Sequence, residues 1–595
     1  MKHRAGAHRR GHPGSPTVDG RAAVELRKVM TRPQQCQYWL IVALWLAANG
    51  YFWEWWLTRQ HIGNTLLFVL MTAALFYSAT VLSSMYALFL GYMRRPVPIP
   101  VSRAEDSGVI GRVAVISLTV PGSESLDIVR AQLVAMTRIR YPHDSWILVD
   151  KEHSPEIAAM AQSLGVRYFC RHDEETWGKD RVSAWNQANP PFKAKTKAGN
   201  VNSWLDAYGD LYSHFTQFDI DHLADPSYLD RVLGYFVDRQ VKWVQAPSVY
   251  GNHLTWTARG SSEQEFGLQG PLQMGFFGFS RTPFIIGSHC TYDMAAIRGI
   301  GGFQPTRAED HLDTVCLAAK GYQGVFVPDV LAVGGGPETF ETYLSQQFAW
   351  AYSMIEVLLF HTPRLIWRYR PRQAVQFLFV QTWYTFWSLS MVVLFCIPLL
   401  SLLLNTPVAH VGYLEFLSRS IWMAIMATVI WYWSRPWHVP AGLRLSWRGV
   451  VLHVARWVVV FSAFIQVLLR VKKPYMITRK GVDGAGRPFP MQVLTPYIAM
   501  VLIALASCWF YLGLHHRGPS QGYLFFGLQD AALFWLLLVI TVVQEVRSAH
   551  RTGTALPNVV ALQARPLLVS GLLGVLFLGT AVASSGPIIQ ALAIW

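Results

Sequence analysis

The sequence predicts an α/β domain inserted between two sets of transmembrane α-helices. Three observations predict this. Apolar runs long enough to span a bilayer cluster toward both ends of the 595-residue chain, and none occurs between 105 and 335. That middle stretch holds most of the acids and alternates strand-like with helix-like patterns. Charged residues make up only 15% of the chain, too few for an ordinary soluble protein of this length.

The spanning runs lie near 38–57, 64–92, 374–404, 412–433, 492–514, 522–546 and 566–594. Each supplies roughly the 20 apolar residues a helix needs to cross the hydrocarbon. Backbone groups in lipid must be satisfied internally, so these runs are helices. Trp and Tyr near their ends suit the interfacial belt. Residues 1–37 carry eight Lys/Arg against two acids and no signal-peptide pattern, which reads as a basic cytoplasmic tail. Two spans then return the chain to the cytoplasm for the 105–345 domain, and 346–370 reads as interface helices.

The run 449–470 is apolar enough to cross, but charge argues against it. Crossing there would place RVKKPYMITRK outside, against the positive-inside rule. An interface helix at 449–470 keeps that run, with Arg547, Arg551 and Arg565, on the cytoplasmic side. Seven spans follow from this reading: two at 38–92, two at 374–433 and three at 492–595. Segment 471–489 reads as a loop.

The six cysteines show no CxxC spacing, which argues against a zinc site and against a disulfide framework. A net charge of +15 suits an anionic ligand and an anionic membrane surface. No nucleic-acid partner is expected.

Within the domain, RVAVISLTV (112–120), SWILVD (145–150) and VRYFC (166–170) read as strands. The stretches 125–139 and 156–165 between them have helical spacing. This rhythm predicts a largely parallel sheet covered by helices. Ligands of such sheets bind at the carboxyl ends of strands, where Asp150, Asp219 and Asp221 fall. If strand geometry persists through FDIDH, Asp219 and Asp221 share a face and suit Mg²⁺ or Mn²⁺; a solvated strand end is the other reading. In KTKAGNVNSWL, Lys197 opens a helix-like segment whose N–H groups can hold phosphate. Glu309 and Asp310 open another helical pattern, as cap charges or as a base facing a cleft.

The order of these pieces resembles the processive family-2 glycosyltransferases, with their D, DxD, (T)ED and QxxRW motifs. The matching residues are PGSE (121–124), Asp150, KAGNVN (197–202), DID (219–221), AED (308–310) and QQFAW (346–350). Within that family the chain resembles the bacterial cellulose synthase catalytic subunit. KKPYMITRKG (472–481) is similar to its gating loop FxVTxKG, and 449–470 to its interface helix. No counterpart of the cyclic-di-GMP-binding domain of many cellulose synthases is visible after 490.

The resemblance implies a GT-A type domain with a Rossmann-like mixed sheet. It implies a UDP-sugar donor, UDP-glucose first, and a growing β-linked polysaccharide acceptor moved across the inner membrane. The catalytic domain would face the cytoplasm, and an accessory periplasmic or export subunit would be a partner. Glu124, Asp150, Lys197, Asp219, Gln346 and Trp350 would bind substrate, with Thr478, Arg479 and Lys480 folding over the nucleotide. Asp219 and Asp221 would hold the metal, and Asp310 beside Glu309 would deprotonate the acceptor. Three positions depart from the pattern: Ala349 replaces the QxxRW arginine, Ala308 the threonine before Glu-Asp, and Ile286 the cysteine of FFCGS. A transferase adding a sugar to lipid, or a GlcNAc-containing or 1,3-linked product, stays open beside a cellulose-like one.

Overall fold

The computed structural model of the chain describes residues 17–18, 21–22, 24–178, 196–306, 309–441, 447–471, 489–515, 518–551 and 553–594. Helix α1, Arg32–Trp56, starts at a capping box between Thr31 and Gln34 with Pro33 in its first turn. Helix α2, Thr65–Gly91, runs back along it. The pair is stitched at three levels: Tyr38 donates to the Ala87 carbonyl, Trp53 to Thr80 and Trp56 to Thr72.

The domain follows. Its elements are β1 Val113–Thr119, α3 Leu126–Thr137, β2 Asp144–Val149, α4 Pro155–Ser163 and β3 Arg167–Cys170. Next come α5 Lys197–Tyr208, β4 His214–Asp219, β5 Val241–Gln245, α6 Trp256–Gly267, β6 Cys290–Asp293, α7 Glu309–Ala319 and β7 Gln323–Phe326. Ser125, Ser154 and Thr196 cap α3, α4 and α5 by accepting from the third helical N–H.

The seven strands form one sheet in the order β7-β5-β6-β4-β1-β2-β3. All neighbours are parallel except β6, which runs against β5 and β4. Alternate residues of β1 feed opposite cores. Val113 and Val115 pack with Leu133, Met136 and Val149, whereas Ala114 and Ile116 pack with Trp204, Leu205 and Phe215. A sheet buried on both faces needs this near-continuous apolar run. A small second sheet joins Leu223–Ala224, Val249–Tyr250 and Ala332–Gly334 beyond the end of β4.

The chain then leaves the domain through α8, Phe340–Glu356, capped by Thr339. The remaining long helices are α9 Pro371–Leu404, α10 Tyr413–Trp433, α11 Trp447–Leu468, α12 Met491–Leu514, α13 Tyr523–Arg551 and α14 Ala564–Ile594. Among the described residues, seven helices are long and apolar enough to cross a membrane. The number equals the expectation, but the membership differs: α11 qualifies by composition, and α1 does not.

The two helices have different neighbours. The α11 helix lies against the domain: Gly449 N donates to Glu263 of α6, and Tyr343 of α8 donates to the Leu452 carbonyl. A Cβ on Gly260 of α6 would stand 2.7 Å from Leu452, so a glycine permits the close approach. The six cysteines are all free.

Candidate active site

Strand register gathers the motif residues. Thr119 of β1 pairs with Val149 of β2, and Leu118 pairs with Asp219 of β4. Asp150 and Asp219 therefore emerge at the same sheet edge, two strand spacings or about 10 Å apart. Asp150 is held by Arg171, whose Nε donates to Oδ1, and by the Lys151 N–H at 2.7 Å. Glu124 accepts from the Thr119 hydroxyl at 2.9 Å and fastens the turn after β1.

Lys197, the first residue of α5, joins three segments. Its Nζ lies 3.0 Å from Asp219 Oδ1, 3.2 Å from Glu309 Oε1 and 2.9 Å from the Gly287 carbonyl. Glu309 is buried, so a cation beside it offsets a charge removed from water. Gly287 has φ 65°, and a Cβ there would stand 3.4 Å from Asp310 Oδ2 and 3.6 Å from Lys197 Nζ. The positive φ favours glycine, and the two functional groups lie in ordinary contact distance of the position. Gln217 and Ser288 brace the same segment, bonding the Gly287 carbonyl and the Asp219 N–H.

Asp310, in the first turn of α7, accepts from the His311 N–H at 2.9 Å. Burial pushes its carboxyl up to about 7, the Glu309 charge adds to this, and Lys197 opposes it. A carboxyl poised near neutrality is what proton abstraction requires.

Asp219 and Asp221 do not share a strand face. The strand ends at Asp219 and the chain turns, with His222 N donating to the Asp219 carbonyl. Asp221 points instead to the small sheet: its Oδ2 accepts from Gly335 N at 3.0 Å, and its Oδ1 lies 3.2 Å from His222 Nδ1. A Cβ on Gly335 would meet Asp221 at 2.9 Å, and one on Gly334 would meet the His222 ring at 2.1 Å. Both acids offer hard oxygen donors of the kind Mg²⁺ or Mn²⁺ takes.

Helix α8 carries Gln346 and Trp350, both half-buried. At about 100° per residue, Gln346, Ala349 and Trp350 share one face, and Gln347 lies about 200° from Ala349. Gln346 reaches the Tyr250 hydroxyl, in a strand whose phenol also feels the Asp221 and Asp219 charges. Gln347 faces α11 and accepts from Arg456 Nη1 at 2.7 Å. Thr478, Arg479 and Lys480 lie outside the described residues, as do Ala308, Lys472 and Lys473.

Sequence reasoning missed Arg171, His222, Gly335 and Arg456. The GGG run at 334–336 was a visible sign of close backbone approach. An arginine one residue past the third strand end was a sign of a partner for Asp150.

Comparisons with known proteins show what the chain is similar to. Residues 214–434 match the family described as glycosyl transferase family group 2. The chain is 24% identical over 449 residues to cellulose synthase 1 catalytic subunit of Komagataeibacter xylinus, covering 71% of this chain and 54% of that one. A probable glucomannan 4-beta-mannosyltransferase 7 of Oryza sativa subsp. japonica is 22% identical over 264 residues, 42% of each chain. The chain spans about half the length of the bacterial relatives it matches. Among solved structures, mannosyltransferase PcManGT of Pyrobaculum calidifontis, in complex with GDP-Man and Mn²⁺, aligns at 15% identity and TM-score 0.45, covering 68% of this chain and 99% of that one. The match at residues 214–434 and the likeness to a cellulose synthase catalytic subunit over 71% of the chain make it similar to cellulose-synthase-like family-2 glycosyltransferases, with an α/β domain set between long apolar helices.

Proposed function

We propose that the protein is an inverting glycosyltransferase that polymerises a UDP-sugar, UDP-glucose first, into a β-linked glucan and passes it across the membrane. One observation carries the reading: Lys197 brings together Asp219, Glu309 and Gly287, with Asp310 against the same glycine. Four motif segments far apart in sequence meet at one strand edge.

In this reading Asp310 accepts the proton of the acceptor hydroxyl as its oxygen attacks the anomeric carbon. The bond from that carbon to the diphosphate breaks, UDP leaves, and inversion yields a β-linkage. Asp150, fixed by Arg171, orients the base of the nucleotide. Trp350 supplies a ring face for the acceptor sugar, and Gln346 sits beside it. Holding both sugars in line removes most of the entropic barrier. Asp219 and Asp221 would hold a divalent ion, which when bound neutralises charge on the departing diphosphate. The residues fit it: Asp221 is clamped by Gly335 and His222, and Asp219 is the more open of the two.

The packing supports α1 as a crossing partner of α2 and α11 as an interface helix on the domain's side. With the basic segments facing inward, the domain lies in the cytoplasm.

The test is membrane vesicles given labelled UDP-glucose, UDP-GlcNAc, UDP-GlcA and GDP-mannose with Mg²⁺ or Mn²⁺, followed by linkage analysis. The last donor is included because the rice relatives are named mannosyltransferases. The expected result is a β-linked glucan from UDP-glucose, absent with Asp310→Asn. No polymer from any donor sinks the reading, and a single sugar on lipid replaces it with the non-processive alternative.

A further inference from the structure

We infer that His153, Cys170 and Asp173 form a second divalent-metal site, suited to Zn²⁺, at the rim of the Asp150 pocket. Strands β2 and β3 are parallel neighbours, with Val149 paired to Cys170, so the loops leaving them emerge side by side. His153 lies in the first loop, two residues before the α4 helix. Cys170 ends β3, and Asp173 closes the single helical turn Arg171–Asp173 that follows.

Their ligand atoms converge. His153 Nε2 is 2.8 Å from Asp173 Oδ1, and one atom of each residue, including the cysteine Sγ, lies within 4.8 Å of the others. A tetrahedral ion with bonds of about 2.0–2.3 Å separates its ligands by about 3.3–3.7 Å, inside that range. The set is one nitrogen, one sulfur and one oxygen, a borderline-soft mixture that favours Zn²⁺ over Mg²⁺ and leaves a fourth position for water. Tyr168 completes the arrangement: its hydroxyl is 3.4 Å from His153 Nδ1 and its ring stacks on the imidazole at 19°. A partner on the far nitrogen fixes which nitrogen faces the metal. Chain spacing gave no hint of this, because the ligands come from two loops and include one cysteine only.

The site carries a consequence for the donor, and this part rests on the proposed nucleotide role of Asp150. Arg171, next to Cys170, is the residue that holds Asp150. An ion joining the 151–154 and 170–173 loops ties together the two segments that carry that pair. Binding at the rim therefore stiffens the base pocket.

The probe is Co²⁺, titrated into the purified full-length protein in detergent. A thiolate-to-cobalt charge-transfer band reports a cysteine ligand, which Asp219 and Asp221 lack, and the Cys170 variant assigns it among the free cysteines. One equivalent is expected to give the band, Cys170→Ser to abolish it, and Tyr168→Phe to weaken binding about tenfold. Because Cys170 is buried, exposed Asp173→Asn is the second variant, with weaker binding and an unchanged Tm. Saturating Zn²⁺ should lower the donor KM severalfold in wild type and not in Asp173→Asn. No band at one equivalent, or an equal band in Cys170→Ser, overturns the site. A band in a protein that makes no glycan keeps the metal site and removes the polymerase; glycan without a band does the reverse.

Discussion

The proposed donor end of the site and the α8–α11 end are built from different chemistry. At the donor end one lysine stands among carboxylates: Lys197 meets Asp219 and Glu309, with Asp310 nearby. At the other end Trp383 and Trp387 of α9 stack 5.2 Å apart at 5°. The Arg456 guanidinium lies 4.7 and 5.4 Å from their ring centres and bonds Gln347 and His453. Paired charges suit an anionic leaving group and a moving proton, whereas rings and amides suit a neutral sugar chain. The contrast teaches where each kind of substitution should register: donor kinetics at the first end, acceptor and product length at the second.

Lys197→Met should break the comparison most severely. It leaves Glu309 buried without its cation, at a cost of about 3 kcal/mol. A thermal melt should fall by several degrees, with synthesis lost. Adding Glu309→Gln should return part of the stability, as a double-mutant cycle would show. Full additivity of the two changes would mean that the ion pair contributes nothing.

A second prediction follows from Asp310. Its folded-state pKa is raised to about 7, and the base must be ionised to work. The sign is therefore fixed: kcat/KM should climb about tenfold per pH unit below 7 and level off above it. A flat profile between pH 5.5 and 7 would remove Asp310 as the base. Glu265 also has its carboxyl raised to about 7 by burial, with Arg456 opposing, so Glu265→Gln must keep the profile if the assignment holds.

Arg456→Lys sharpens the far end. Lysine keeps the charge but loses the planar fork that bonds Gln347 while covering two indoles. Shorter product with an unchanged donor KM is the expected result, read by gel filtration of the glycan and by initial rates. A donor KM that rises instead would show that the two ends are not separate.

Much of the domain was legible in the sequence because its strands are buried on both faces and its helices begin at Ser or Thr caps. Val113–Thr119 and Asp144–Val149 read directly from apolar runs that end in a turn. The relation of Asp219 to Asp221 did not, because a turn begins where strand periodicity was extended. Lys197 was legible as a functional cation and illegible as a bridge, since Gly287 and Glu309 lie 90 and more residues away. By composition α11 qualifies as a span and α1 does not: α1 carries polar residues that bond α2, and α11 is apolar on faces that pack on α6, α8 and α12. Composition reports what a surface is, and only packing reports what covers it.

The smallest expected effect belongs to Ala349, and it decides whether the donor end lacks a cation. Arg456 does not fill the gap left by the absent motif arginine, because it bonds Gln347 on the opposite side of α8. Ala349 shares its face with Gln346 and Trp350, and all three are half-buried, so a longer side chain there points into the same space. A guanidinium at that position gains a bidentate contact to phosphate oxygens. Ala349→Arg should therefore lower the donor KM two- to tenfold while kcat changes less. If KM stays constant and the pH profile of Asp310 is unaltered, a cation elsewhere in the chain already serves the diphosphate. If kcat falls instead, the new charge competes with Lys197 for Asp219, and the single-lysine arrangement at the donor end is the one the enzyme needs.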